Sequence, residues 1–327
     1  MTPKQNLYPL LFEPIFKEKI WGGQRLKTEL NKAIPTGKIG ESWEISAVED
    51  DYSVVKNGPF SGQSLEELLQ KFQEDLVGKS VYRDYQNHFP LLVKFIDASE
   101  KLSVQLHPDD ELALKRHDSF GKTEMWHILH AQENSYVING FKKGVTRGDY
   151  LKKLEEGELE QILHKEKVSA GDTIFIKPGL IHSIGKGILL AEIQQTSDIT
   201  YRVFDWNRVD RNGESRQLHT DLAIDAIDFK ASEQTKIAPL QQRNQFKILV
   251  QNKYFTTRQL HIQNQKFEWN QPEIDSFVVL MCTKGHFILK SGNYQLKLNY
   301  GETVLIPAEI KQFTLEAEES ELLAVTV

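Results

Sequence analysis

Four residues of metal-ligand type carry the first chemical reading of this 327-residue chain. Gln105 and His107 stand two positions apart in the run Leu102-Ser103-Val104-Gln105-Leu106-His107-Pro108. On an extended strand that spacing puts both side chains on one face. Glu124 follows in Gly121-Lys122-Thr123-Glu124-Met125-Trp126, and His182 follows Pro178-Gly179-Leu180-Ile181. Two imidazoles, a carboxylate and an amide oxygen suit one divalent cation, Zn2+ first among them, and that cation is the expected cofactor.

The elements that must present these groups read as strands punctuated by glycine turns. Gly171-Asp172 is a tight turn, Thr173 to Ile176 a β-branched and aromatic strand, Pro178-Gly179 a second turn, and His182 opens the next strand. That order resembles the second sequence motif of cupin barrels, whose histidine points into the barrel. The unit recurs near the C-terminus, where Gly301 falls on Gly171 and Gln312 falls on His182. Two copies of one unit predict a mainly β chain of two cupin-type (jelly-roll) barrels with helical insertions in the N-terminal half, only the first barrel keeping a metal. The expected division is a catalytic domain over 1–240 and a metal-free domain over 241–327.

Helical signals are local. Ser64 with Glu67 forms a capping box ahead of apolar residues at helical spacing, so an insertion is expected over about 62–90. Further helices are expected from Asp110 to Arg116, over about 150–164, and as a connection over about 218–229. Asp109 and Asp110 read as capping and dipole residues after Pro108. Residues 1–61 read as short strands and loops, and from about Phe246 onward the pattern is almost wholly strand and turn.

Composition narrows the partners. A net charge of −6 without clustered Lys and Arg argues against a nucleic-acid partner. No run approaches the roughly 18 apolar residues of a membrane span. Cys282, the single cysteine, sits in the apolar run Phe277 to Cys282 and is expected to be a small buried side chain. The first eight residues lack the apolar stretch of a leader, which makes the cytoplasm the expected compartment.

Several separate motifs then agree on one family. Phe12 to Gly23, Gly40-Glu41-Ser42-Trp43-Glu44-Ile45-Ser46, the Gln105/His107 run, Lys122 to Trp126 and Asp198-Ile199-Thr200-Tyr201-Arg202 resemble the class I mannose-6-phosphate isomerases in their short bacterial form. The resemblance implies a metal-dependent aldose–ketose isomerase without an organic cofactor, acting on a phosphorylated hexose and interconverting mannose 6-phosphate and fructose 6-phosphate. It maps the metal ligands onto Gln105, His107, Glu124 and His182, and a catalytic arginine onto Arg202.

An enediol route between aldose and ketose needs a base to carry a proton between C1 and C2, and a positive centre for the oxygen charge that develops. Glu192, Asp198 and Arg202 share a parity if the segment carrying them is extended, so all three are candidates for one interior. Asp198 and Glu192 stand level as the base, and Arg202 suits the enediolate. Lys94, Lys122 and Ser103 are the candidate phosphate contacts, with Lys122 foremost and also a candidate catalytic group. His127 and His130 read as members of an ordinary half-buried strand. A sugar-binding double cupin without activity remains a second class of reading, and a metal oxygenase a third. Monomer and homodimer both stay open.

Overall fold

The computed structural model describes residues 6–48, 50–209, 213–230, 235–239 and 242–327. The domain boundary expected between 240 and 241 lies outside those residues, as do the first five positions. In chain order the elements begin with β1 (Ile15–Gly23), α1 (Arg25–Thr28), β2 (Ile39–Ile45), β3 (Ala47–Val48) and β4 (Asp51–Tyr52). Helices α2 (Leu65–Phe72), α3 (Glu74–Val77) and α4 (Lys79–Tyr85) precede β5 (Leu91–Ala98), β6 (Val104–Leu106), α5 (Asp110–His117), β7 (Glu124–Ala131) and β8 (Tyr136–Phe141). Then come α6 (Arg147–Glu155), β9 (Leu163–Lys167), β10 (Thr173–Ile176), β11 (His182–Ile184), β12 (Ile188–Gln195), β13 (Tyr201–Phe204), α7 (Thr220–Ala226) and β14 (Lys236–Ile237). The chain closes with β15 (Lys247–Gln251), β16 (Thr256–Asn270), β17 (Val278–Ser291), β18 (Tyr294–Asn299), β19 (Thr303–Ile306) and β20 (Gln312–Thr326). With 44% strand against 17% helix, the chain is mainly β.

Three large sheets organise the described residues, beside a two-stranded pair of β3 and β4. A seven-stranded sheet runs β1-β2-β5-β12-β7-β10-β14, a five-stranded sheet runs β13-β6-β11-β8-β9, and a six-stranded sheet holds β15 to β20. The period of two along each strand decides what faces where. On β12, Leu189, Ala191 and Ile193 join one apolar cluster while Ile188 and Leu190 join another on the opposite face. Glu192 has the parity of the second set. The same alternation on β5 sends Leu91, Val93 and Phe95 one way and Ile96 and Ala98, with Lys94, the other.

The first of those faces packs against the rest of the molecule. Its cluster takes in Leu65, Leu68, Leu69 and Phe72 of α2, Leu76 and Val77 of α3, and Val279, Met281, Leu305, Leu323 and Val325 of the C-terminal sheet. The second face looks toward the five-stranded sheet and lines a cavity. The outer face of the five-stranded sheet is covered in turn, with Val104, Leu106, Ile138 and Val203 packing on Tyr150 of α6 and Ala223 of α7.

Two local expectations are corrected. The segment 150–164 is an α-helix only to Glu155; Gly157 at φ +70° turns the chain, a short 3-10 helix follows over Leu159–Ile162, and Leu163 begins a strand. A glycine in the left-handed region is a common helix terminator. Residues 1–61 hold a nine-residue strand, β1, paired with β2 from Ile15↔Trp43 onward, where short strands and loops were expected.

Candidate active site

The cavity between the seven- and five-stranded sheets has a volume of about 270 Å³, near the lower end of the range for small-molecule sites, roughly 300–1,000 Å³. Its walls come from both sheets: Glu41, Lys94, Trp126 and Glu192 on one side, and Gln105, His182 and Arg202 on the other. Lys122, Ser103 and Asp198 also line it. Every metal, catalytic and phosphate candidate read from the sequence except His107 and Glu124 therefore borders this one space, and those two lie against His182.

At the floor, one ligand atom each from His107, Glu124 and His182 lies within 4.8 Å of the others, and all three residues are buried. Among the described residues no other group of three such side chains converges in this way. Each imidazole is already oriented. His107 Nδ1 lies 2.8 Å from the carbonyl oxygen of Ile199 and His182 Nδ1 lies 2.8 Å from that of Leu180. A carbonyl accepts only, so each Nδ1 carries the proton and each Nε2 presents its lone pair to the centre. Burial, against the opposing pull of the Glu124 carboxylate, pushes the His182 pKa down to about 3, which keeps the ring neutral. Although burial alone would raise it, Lys122 and His107 hold the Glu124 carboxyl well below its ordinary range.

Glu124 Oε1 and His182 Nε2 are buried without a hydrogen-bond partner. Buried polar atoms are rarely left so, and these two lie within the converging set, although other buried polar atoms elsewhere among the described residues are also unpartnered. The donor types and the oriented imidazoles fit a zinc-type cation. Gln105 enters from the side: its strand pairs directly with His182 and, on the other edge, with Arg202, giving one cross-strand row of Arg202, Gln105 and His182. Lys122 Nζ bonds Glu124 Oε2 at 2.5 Å and reaches His107 Nε2 at 3.1 Å.

The two walls differ electrically. Lys94 is buried between Glu192 at 3.2 Å and Glu41 at 3.7 Å, and these carboxylates raise its pKa despite the burial. Glu192 also accepts from Trp126 Nε1 at 2.8 Å, and Glu41 accepts from Trp43 Nε1 at 2.6 Å. Across the cavity Arg202 donates through Nε to Ser103 Oγ at 3.3 Å and through Nη1 to the carbonyl of Gln217 at 2.9 Å. Ser103 in turn donates to Gln105 Oε1 at 3.2 Å. Asp198 is exposed at the rim.

The parity argument that grouped Glu192, Asp198 and Arg202 is corrected. β12 ends at Gln195 and β13 begins at Tyr201, in a different sheet, so no continuous strand joins them. They meet at one cavity because the chain crosses from one sheet to the other between them. Sequence reasoning assigned no role to Glu41, Lys19, Trp21 or Arg216, which line the same cavity. Glu41 and Trp43 had a readable signal, an alternating pair within Gly40 to Ser46. Arg216 had none, since it is brought to the rim by Asp205, which grips its Nε at 2.7 Å and its Nη2 at 2.6 Å. His127 faces away from Glu124 on β7, bonds Thr173 Oγ1 at 2.9 Å, and is kept neutral by burial with a pKa of about 4.

Comparison with known proteins joins this geometry to a chemistry. Residues 10–123 match the family model "phosphomannose isomerase type I, catalytic domain", and residues 245–327 match "mannose-6-phosphate isomerase, cupin domain". The mannose-6-phosphate isomerase of Streptococcus mutans is 34% identical, with 95% of this chain and 96% of that protein covered. The mannose-6-phosphate isomerase ManA of Bacillus subtilis is 33% identical over 94% of this chain and 96% of its own. A crystal structure of the mannose 6-phosphate isomerase from Bacillus subtilis superposes with a TM-score of 0.86 at 32% identity, covering 98% of this chain and 99% of that one. No helix among the described residues is long and apolar enough to cross a membrane.

Proposed function

The chain belongs to the type I phosphomannose isomerase family, and from that premise we propose that this cavity interconverts mannose 6-phosphate and fructose 6-phosphate through an enediol. The observation that carries the reading is the buried trio of His107, Glu124 and His182, with both imidazoles oriented by backbone carbonyls. A divalent cation of the zinc type, held by these three and Gln105, would polarise the sugar oxygens at C1 and C2.

The chain's own groups do the rest. Asp198 takes the proton from C2 and returns it to C1; the C2 hydroxyl proton passes to the C1 oxygen, so aldehyde and ketone exchange places with no net loss of atoms. Asp198 is preferred over Glu192 as the base because Glu192 already accepts from Trp126 and Lys94, whereas Asp198 stands exposed at the rim. Arg202 sits roughly two strand spacings, about 10 Å, from His182 along the cross-strand row and stabilises the negative charge of the enediolate. Lys122 holds a sugar oxygen beside the metal ligands. Lys94, engaged by two carboxylates, braces the wall that reads the hydroxyls, and the phosphate lies toward Ser103 and Arg216. The catalytic part is assigned to the N-terminal sheets and the C-terminal sheet is assigned a metal-free supporting role.

A coupled assay with mannose 6-phosphate, before and after chelation and after return of zinc, tests the whole reading; activity indifferent to chelation would remove the metal from it. Asp198→Asn should lose about 10²–10⁴ in kcat, the usual contribution of a general base, and Glu192→Gln clearly less. Arg202→Ala should lose about 10²–10³ in kcat with metal content unchanged. If Arg202→Ala raises KM alone, the arginine anchors substrate and does not stabilise the enediolate.

A further inference from the structure

Asp110 was expected to serve the N-terminus of α5, and its neighbour already does so. Asp109 is the N-cap and accepts from Leu112 N at 2.9 Å. The Asp110 carboxylate turns elsewhere. Oδ1 accepts from Gly121 N at 3.0 Å and from Gln195 Nε2 at 3.0 Å, and Oδ2 accepts from the Tyr254 hydroxyl at 2.7 Å. Tyr254 belongs to the loop between β15 and β16 of the C-terminal sheet, and that loop is itself fixed by Asn252, whose Oδ1 accepts from Tyr254 N at 2.7 Å.

The three residues leading into β7 are thereby pinned one by one. Gly121 is held by Asp110, Lys122 N donates to Pro108 O at 3.2 Å, and Thr123 N donates to Gln195 Oε1 at 2.8 Å. Gln195 closes the loop because its own side-chain nitrogen also lies on Asp110. A Cβ at position 121 would come within 2.6 Å of Asp110 N, so only glycine allows this approach. The residue in the middle of the pinned stretch is Lys122, whose ammonium contacts both Glu124 and His107.

We infer that Tyr254 of the C-terminal sheet acts, through Asp110, as a positioning residue for Lys122 in the isomerisation. The metal-free part of the molecule thus reaches the floor of the cavity by a chain of hydrogen bonds, in addition to the apolar packing it shares with the first sheet. The link keeps its protonation states over the working range. Burial would raise the Asp110 pKa, but the bonds from Tyr254, Gln195 and Gly121 hold it below the usual carboxylate value; burial and Asp110 raise the Tyr254 phenol, which stays a donor.

The inference rests on the proposed role of Lys122, and its test has one arm that needs no activity. Tyr254→Phe removes the hydroxyl and keeps the ring. With the metal-loaded proteins, hydrogen exchange of the Gly121 to Thr123 amides should speed up in Tyr254→Phe, and Asp110→Ala should show at least as large an increase. In the coupled assay Tyr254→Phe should lower kcat/KM about three- to tenfold, the share of one typical hydrogen bond acting at one remove from the reacting atoms. That factor should shrink to less than about twofold in a Lys122→Ala background, as expected for residues acting through one another. Unchanged exchange at 121–123, or the same loss of kcat/KM with and without Lys122, overturns the inference. Faster exchange at 121–123 in the variants, with no turnover of mannose 6-phosphate by the wild type, would instead sink the functional reading and leave the tether standing.

Discussion

Gly171 to His182 and Gly301 to Gln312 are the same local structure put to two uses. Both open on a glycine in the left-handed region, φ +90° and +83°, both run through a four-residue strand, β10 and β19, and in both a new strand begins at the twelfth position. There the likeness stops. His182 is fully buried above Glu124, and Gln312 is exposed, its side-chain nitrogen donating to Asn270 Oδ1 on the neighbouring strand. The surroundings explain the divergence. Around His182 the inward positions carry Glu41, Lys94, Gln105 and Glu192, each with a partner, whereas inside the C-terminal sheet they carry Leu260, Ile262, Leu280, Cys282, Phe287 and Leu322. A turn-strand-turn unit positions one residue; whether that residue becomes a ligand depends on what the other strands bring to the same face.

The largest effect should follow from attacking the polar interior at its centre. His182→Ala removes one of three converging donors and leaves the apolar clusters on either side untouched. Loss of a residue that merely supports a ligand typically lowers metal affinity or activity by about 10–100-fold, so loss of the ligand itself should lower turnover by at least about 100-fold and empty the site by elemental analysis. Circular dichroism should remain that of a folded protein. A full metal complement in His182→Ala would dissolve the contrast between the two copies.

The converse experiment enters the apolar interior. Phe287 is fully buried among Leu289, Leu298 and Leu315, and Phe287→Ala should cost about 3–5 kcal/mol of stability by transfer and cavity terms, read by denaturant unfolding. Metal content of the folded fraction should be unaffected. If this substitution instead strips the metal, the two interiors are not independent.

How far this contrast was legible from sequence depends on the range of the signal. The repeat was readable because a glycine turn and four β-formers have a local physical cause, and Gln312 in place of a histidine was visible by simple alignment of the two copies. Gln105 and His107 were readable for the same reason, although β6 ends at Leu106 and Gln105 meets His182 by cross-strand pairing. The joining of Glu192 to Arg202 was reached by a wrong route, since parity says nothing across a change of sheet. Least legible were the groups delivered by tertiary approach. Asp110 looked like a cap because its neighbours in sequence allow that role, and only the fold reveals that its partners are Gly121, Gln195 and Tyr254.

Acid should separate the interiors next. Burial opposes ionisation of Glu41, but Lys94, Lys19 and Trp43 outweigh it and lower the pKa from 4.5 to about 2. A folded-state pKa below the unfolded one gives stability that is complete above about pH 4.5 and is lost as the pH falls toward 2. The shift corresponds to at most about 3 kcal/mol. Glu41→Gln should therefore be less stable than the wild type at pH 7, with the gap closing between about pH 5 and pH 2 in thermal melts. A gap independent of pH would mean that Glu41 contributes by packing alone.

The smallest expected effect is the sharpest statement of the difference. Gln312→His restores to the second copy the residue that its counterpart uses, at the same place in the same local unit. Position 312 is exposed, so the change should leave stability within about 0.5 kcal/mol. It should also leave the C-terminal part without zinc, because a structural site needs about four donors and the inward positions nearby offer hydrocarbon and aromatic side chains such as Trp269 and Phe313, stacked at 5.4 Å. Elemental analysis of Gln312→His in a His182→Ala background isolates the second copy, since the first site is then disabled. Zinc bound tightly in that double variant would show that the histidine was the missing part and that the apolar surroundings are no barrier, which would reverse the order of causes argued for the two copies.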